Sequence, residues 1–304
     1  MGATIIDGKA IAARVRAEVA EEVAEFTAQT GRAPGLATLL VGDDPASHTY
    51  VAGKQRAAGE VGIEPFDRRL PADASFDVVA EELQRLGEDP AVSGILLQLP
   101  VPDHLDGTAL TGMVPPEKDV DGLTAVNTGL LALGRGGLRP CTPVGVMDLL
   151  ADTGVELEGA EAVVVGRSNL FGKPMAQLLL GANATVTTCH SRTRDLAAVC
   201  SRADVLVAAI GRARMIGSEH VKPGAVVIDV GMNRISPEEA GNKSGLVGDV
   251  DFAAVVDIAS AITPVPGGVG PMTVAELLRN TLQAARYQAN VNAWLGTSHL
   301  EPRA

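Results

Sequence analysis

Aromatic side chains are scarce in this sequence: one Trp, two Tyr and five Phe among 304 residues. A core without them must be filled by Val, Leu, Ile and Ala, which suits helices packed on an aliphatic sheet. Cysteine is scarcer still. Cys141, Cys189 and Cys200 are an odd number with no CxxC spacing, which excludes a disulfide framework and a zinc site and leaves reduced thiols. Positive charge is in deficit: 25 Lys and Arg stand against 37 Asp and Glu, a formal net charge of −12. Nucleic acid and anionic membrane surfaces both select basic faces, so neither is an expected partner. No apolar run approaches the ~18 residues of a spanning helix. The start, Ile5-Ile6-Asp7-Gly8-Lys9, lacks the basic-then-apolar pattern of a secretory signal. A cytoplasmic protein is expected. The acidic balance still allows an anionic small molecule, held by a few local Arg or Lys residues.

What is present is an ordinary globular balance, 46% hydrophobic and 20% charged, in a chain long enough for two domains. Ile11, Val15, Val19, Val23 and Phe26 recur at helical spacing, with Asp7 as N-cap and Gly31 as the stop. An apolar strand at 36–41 follows, then a helix from about Ser47 carrying Tyr50 and Lys54, a helix through Phe76, Val79, Leu83 and Leu86, and a strand at 94–99 interrupted by Gln98. Gly and Pro accumulate from Gly107 to Pro143, which marks a junction. Beyond it, strands are predicted at 162–165, 185–189, 205–209 and 226–230, with helices near 173–180 and 195–200. A last helix starts near Thr273, and the tail from Asn290 is expected to be loose. Strand and helix alternate throughout, which predicts an α/β fold whose second half is a doubly wound, Rossmann-like nucleotide-binding sheet.

Several positions carry chemistry. Val163 to Pro174 reads V-V-V-G-R-S-N-L-F-G-K-P, a strand, a tight turn and a helix N-terminus whose free N–H groups suit a phosphate. It is neither GxGxxG nor a P-loop, and a purely structural βα turn is the bland alternative. NAD sites place an acid about 20 residues after such glycines to hold the ribose 2′-hydroxyl. Here the second strand ends in His190-Ser191-Arg192. Arg167, Ser191 and Arg192 can instead receive a 2′-phosphate, so NADP is the expected cofactor. Tyr50 and Lys54, at i and i+4, share a helix face. Gln98 is an amide that needs partners inside an apolar strand. Asp119 and Asp121 lie in K-D-V-D-G, which as a bare pattern is equally a solvated turn. Pro264-Val265-Pro266-Gly267-Gly268 precedes a helix and makes a rigid turn that a ligand can approach closely. No cluster of His, Cys and Asp suggests a metal.

Taken in order, the Y-x-x-x-K helix, Q-L-P at 98–100, K-D-V-D-G, P-C-T-P at 140–143, G-R-S-x-x-x-G-x-P and P-G-G-V-G-P-M-T at 266–273 resemble the FolD-type bifunctional methylenetetrahydrofolate dehydrogenase/cyclohydrolases. The resemblance runs from Ile5 to about Arg286. It implies a folate domain at 1–140 plus 274–304, an NADP domain at 141–273, a folate cleft between them and a homodimer. By the same resemblance Tyr50 stacks on the aminobenzoyl group, Lys54 is the acid/base with Gln98 bonded to it, and Asp121 holds the pterin. Leu99, Pro100, Pro264, Pro266, Gly267 and Gly268 line the substrate site. Thr142, Gly166, Arg167, Ser168, Gly172, Ser191, Ile210 and Gly211 hold the cofactor. The chain departs from the family pattern at Ala209–Arg214, Met232 and Phe171. Two other readings use some of the same residues: an NADP dehydrogenase of a shikimate-type hydroxy acid, which would lack P-G-G-V-G-P-M-T, and a non-catalytic binding relative, which would not need Tyr50, Lys54, Gln98 and Asp121 together.

Overall fold

Asp7 caps the first helix as its position predicts. Its Oδ1 accepts the N–H groups of Lys9 and Ala10 at 3.0 and 3.1 Å, two donors a helix start leaves without partners. The structure, a computed structural model, describes residues 2–241 and 244–289; the tail from Asn290 lies outside them. A short strand, Thr4–Ile5 (β1), precedes the capped helix, Gly8–Thr30 (α1), which ends at Gly31 with φ 77°.

Gly35–Val41 (β2), Pro45–Glu60 (α2), Glu64–Leu70 (β3), Phe76–Glu88 (α3) and Gly94–Leu97 (β4) then alternate. They form a parallel three-stranded sheet in the order β3-β2-β4. The central strand reads G-L-A-T-L-L-V and is buried throughout. Ala37, Leu39 and Val41 share one core cluster with Ile95 and Leu97 of β4 and Val79, Leu83 and Leu86 of α3. Each large side chain so buried is worth roughly 1.5–3 kcal/mol, enough to seat α3 by its one apolar stripe. β3 escapes sequence reading because it is an edge strand, E-P-F-D-R-R-L, with charges and a proline where water meets the sheet. β4 is two residues shorter than predicted. Gln98 N–H makes the final ladder bond, to Leu39 O at 2.9 Å, and the proline after Leu99 has no N–H to extend it.

The Gly- and Pro-rich stretch holds two short helices, Gly107–Thr111 (α4) and Ala125–Ala132 (α5), and is followed by Cys141–Thr153 (α6). The later elements are Glu161–Val165 (β5), Gly172–Gly181 (α7), Thr185–Cys189 (β6), Leu196–Cys200 (α8), Val205–Ala208 (β7) and Val226–Asp229 (β8). Asn233–Arg234 (β9), Pro237–Ala240 (α9), Leu246–Val247 (β10), Phe252–Val255 (α10), Ala261–Ile262 (β11) and Val269–Ala289 (α11) complete them. The last helix starts four residues before Thr273. Six strands make a parallel sheet in the order β1-β11-β8-β7-β5-β6. The chain steps from β5 outward to β6, then crosses back to β7 on the other side of β5. Ligands of such sheets bind where the order reverses, at the carboxyl ends, which here means after Val165 and Ala208.

The chain divides into two compact units, one of Thr142–Thr273 with the residues through Ala13, the other of Arg14–Cys141 with the helix from Val274. No described helix is long and apolar enough to cross a membrane.

Candidate active site

In the unit around β2, the side chains of interest stand at the carboxyl end of the small sheet. α2 is entered through Asp44, whose Oδ2 accepts Ser47 N–H at 2.8 Å, and it carries Tyr50 and Lys54 one turn apart. Tyr50 is 47% exposed, an unusual setting for one of only two tyrosines. Lys54 Nζ donates to Gln98 Oε1 at 2.9 Å. Gln98 Nε2 in turn donates to Leu99 O at 2.7 Å, just before the cis Leu99–Pro100 peptide. The amide that sequence reading left in need of partners has both. Burial lowers the Lys54 pKa below that of a free lysine, while the Asp121 carboxylate and the Cys141 thiol pull it back up. Asp121 is pushed up by its own burial, with Lys54 pulling it down and Asp119 adding to the rise. The two groups therefore sense each other, though they are 67 positions apart in sequence.

The two aspartates of K-D-V-D-G do different things. Asp119 is spent on its own loop: its carboxylate accepts Leu123 N–H at 3.1 Å, Thr124 N–H at 2.8 Å and Asn127 Nδ2 at 2.9 Å. This is an Asx-type turn built on a buried side chain, and it leaves Asp121 as the acid presented. A second anchor went unseen in the sequence. Asn280 on α11 donates through Nδ2 to Val120 O at 2.8 Å and Arg139 O at 2.7 Å, and Cys141 Sγ–H also reaches Val120 O at 3.2 Å. The peptide beside Asp121 is thus fixed from two directions.

In the unit built on the large sheet, the turn after β5 is closed on itself. A Cβ on Gly172 would lie 2.2 Å from Gly166 O, and one on Gly166 would lie 2.3 Å from Ala209 O, so only glycine allows this winding. Ser168 Oγ accepts Phe171 N–H at 3.1 Å and Gly172 N–H at 3.4 Å, which gives it a structural task in the turn. Arg167 and Ser191 each follow the register pair Val165–Cys189 by two residues on neighbouring strands. Both are exposed. Arg192 N–H is taken by His190 Nδ1 at 3.1 Å. No carboxylate occurs from His190 to Arg194.

The exit of β7 brings Ile210 and Gly211, with Gly211 at φ 70°, beside that turn in the sheet order. Thr142 Oγ1 pairs with Thr273 Oγ1 at 2.9 Å. In the proline–glycine turn, Gly268 N–H donates to Pro264 O at 2.9 Å across the cis Val265–Pro266 peptide. The structure thus collects Tyr50, Lys54, Gln98, Leu99, Pro100 and Asp121 in one unit. Thr142, the 166–172 turn, Ser191, Ile210, Gly211 and Pro264–Gly268 fall in the other.

Comparison with known proteins bears on both units. Residues 6–121 match the tetrahydrofolate dehydrogenase/cyclohydrolase catalytic domain, and residues 140–289 match the NAD(P)-binding domain of the same family. The chain is 64% identical over 293 residues to bifunctional protein FolD 2 of Frankia alni, covering 96% of this chain and 99% of that protein. It is 57% identical over 289 residues to bifunctional protein FolD of Sphingopyxis alaskensis, covering 95% and 96%. Among solved structures, the FolD methylenetetrahydrofolate dehydrogenase/cyclohydrolase of Campylobacter jejuni superimposes with a TM-score of 0.89 at 44% identity, over 94% of this chain and 99% of that one. The Trypanosoma brucei enzyme, solved with NADP cofactor and an inhibitor, gives 0.90 at 41% identity over 95% and 99%.

Proposed function

The chain belongs to the tetrahydrofolate dehydrogenase/cyclohydrolase family, and from that premise we propose how its residues divide the work. The enzyme oxidises 5,10-methylenetetrahydrofolate to 5,10-methenyltetrahydrofolate with NADP and hydrolyses the methenyl compound to 10-formyltetrahydrofolate. Bound NADP supplies the hydride acceptor. This chain's residues suit it: Gly166 and Gly172 let the turn after β5 wind tightly where no Cβ would fit, Arg167 is exposed, and no carboxylate occurs from His190 to Arg194. We assign the 2′-phosphate to Arg167 and Ser191, and the rest of the cofactor to Thr142, Gly166, Ser168, Gly172, Ile210 and Gly211. The folate falls to Tyr50, Leu99, Pro100, Asp121 and the Pro264, Pro266, Gly267 and Gly268 turn, with 1–140 plus 274–304 as its domain. A homodimer is read from the family resemblance alone, and a cytoplasmic location is the expectation drawn from the sequence's lack of a signal or spanning segment.

Dehydrogenation asks the chain chiefly for alignment and dryness. Tyr50 offers an exposed ring face for the aminobenzoyl group. Asp121 accepts N–H donors from the pterin edge, which favours its charged form and fixes the ring's orientation. Hydrolysis asks for a proton carrier. Water adds to the methenyl carbon and gives one proton to the Lys54 amine. The ammonium returns that proton to N5 as the carbon–N5 bond breaks, and the remaining hydroxyl proton leaves to solvent as the formyl carbonyl forms. Burial makes the neutral amine accessible nearer to neutral pH than in a free lysine. The bond between Lys54 Nζ and Gln98 Oε1, 44 residues apart, carries this reading: it holds the one candidate proton carrier in a fixed place.

Purified protein given methylenetetrahydrofolate and NADP should build NADPH and methenyl absorbance together. Lys54→Met should slow methenyl hydrolysis by ~10²–10⁴ while hydride transfer suffers less. No NADPH would overturn the function, and wild-type hydrolysis in the variant would remove Lys54 from it.

A further inference from the structure

Just after β10, Asp249 is completely buried, yet its carboxylate has four donors. Oδ2 accepts Ile210 N–H at 2.5 Å and Gly211 N–H at 3.0 Å. Oδ1 accepts Arg212 N–H at 2.9 Å and Asn233 Nδ2 at 2.9 Å. Three consecutive backbone amides converging on one point form an anion-binding nest, and this protein fills the nest with an anion of its own. The carboxylate is itself located by a second one. Asp229, at the end of β8, accepts Asp249 N–H and Gly231 N–H through Oδ1 and Val250 N–H through Oδ2, all at 2.9 Å. The fit is close: a Cβ on Gly231 would stand 2.4 Å from Asp249 Cγ.

We propose that Asp249 is a positioning residue for the dehydrogenase reaction: it shapes the loop after β7 so that Ile210 and Gly211 meet the cofactor. The inference rests on the assignment of those two residues to NADP. The loop needs such a device. It leaves the sheet at the switch point through Gly211 at φ 70°, and glycine supplies little conformational preference of its own. A carboxylate that takes three amides in a row fixes the loop's turn through charge-assisted bonds. Methenyl hydrolysis consumes no NADP, so a role confined to the cofactor loop separates the two activities.

The test is Asp249→Asn. One carbonyl oxygen remains as acceptor, and the new NH2 faces backbone donors. Calorimetric titration should show NADP binding weakened roughly tenfold or more, with KM for NADP raised alike. Methenyl hydrolysis assayed without NADP should keep kcat/KM within about twofold, because no group placed in the folate chemistry is touched. Unchanged NADP affinity in the folded variant, or equal loss of both activities, overturns the proposal. Asn233→Ser serves if Asp249→Asn does not fold. It removes one donor from Oδ1 and should give a smaller rise in KM for NADP with hydrolysis intact, and no change in either overturns the proposal. Ile210→Ala isolates the premise. NADP affinity unaffected by it means the loop does not touch the cofactor, whereas weakening there but not in Asp249→Asn removes only the positioning role.

Discussion

Gln98 gives the sharpest test of how Lys54 is made to work. Its side chain joins two bonds, Lys54 Nζ to Oε1 at 2.9 Å and Nε2 to Leu99 O at 2.7 Å. Gln98→Ala deletes both and leaves the lysine on a longer, freer tether. A hydrogen bond to a charged group is worth roughly 1.5–3 kcal/mol, or ~10–150-fold in rate if the bond is needed in the transition state. The kcat/KM for methenyl hydrolysis should fall by about that factor, with a smaller loss in hydride transfer. The direction of the pH dependence is a second, independent check. The Gln98 carbonyl dipole favours the ammonium, so removing it should move the alkaline rise of kcat/KM to lower pH. Gln98→Glu places an anion against Nζ and should move that rise to higher pH, as Asp121 already does in the native protein. The assay follows methenyl absorbance across pH, with uncatalysed hydrolysis subtracted. Wild-type rates in both variants, or a rise displaced the same way by Ala and Glu, would show that Lys54 is not the titrating base.

Two further outcomes follow from other parts of the molecule. Arg167→Ala should lower kcat/KM with NADP ~10–150-fold while leaving NAD nearly unaffected; Ser191→Asp should act in the same direction, and the wild-type preference should shrink as salt rises, since an exposed guanidinium–phosphate pair is screened. An unchanged cofactor ratio in Arg167→Ala would move the 2′-phosphate elsewhere, with Arg192 next to test. Asp229 is pushed up to about 7 by burial and by the neighbouring Asp249 charge, against the pull of its three amide donors. It binds its proton more tightly folded than unfolded, so its contribution to stability is full below its ordinary value of 3.8 and is lost as pH rises towards 7. The urea midpoint of Asp229→Asn should therefore decline less than that of the wild type across this window, and parallel profiles would refute the assignment.

The large-scale fold was legible because most of its predicted strands are fully buried. V-V-V, V-L-V-A and V-V-I-D at β5, β7 and β8 are covered on both faces, and such strands read as unbroken aliphatic runs. The partly exposed β6 was still legible, but some other strands went unseen. β3 is half charged at an exposed edge. β1 and β11 are two residues each and gain their identity only by pairing, with each other across 257 positions of sequence and, for β11, with β8 as well. A two-residue strand has no periodicity to detect. Helix boundaries erred in a similar way: α11 begins at Val269, inside a glycine–proline segment that local propensity assigns to a turn.

The site divides along a different physical line. The residues proposed to meet a ligand were picked out by side-chain chemistry and motif, because an amine, a phenol, a guanidinium or a carboxylate at fixed spacing is itself a signal. Residues that hold those groups in place were not, because their partners are backbone amides and carbonyls, which every sequence has. Asn280 reaches Val120 O from 160 positions away, and Asp249 gathers three amides from 37 to 39 positions away. Neither is marked by its neighbours. Asp249 is fully buried and Asn280 partly so, and an unmade hydrogen bond away from water costs about 1–3 kcal/mol, so each is tolerated only with its partners complete. That requirement supplies the signal sequence lacks. A carboxylate or amide away from water whose partners include several backbone groups of one segment, or backbone groups of two neighbouring segments, identifies both the backbone whose shape is held and the residue that holds it. Asn280 and Asp249 act on different units, one beside Asp121 and one beside Ile210. Substitutions at the first should therefore weaken the folate-dependent steps together, and those at the second only the step that consumes NADP.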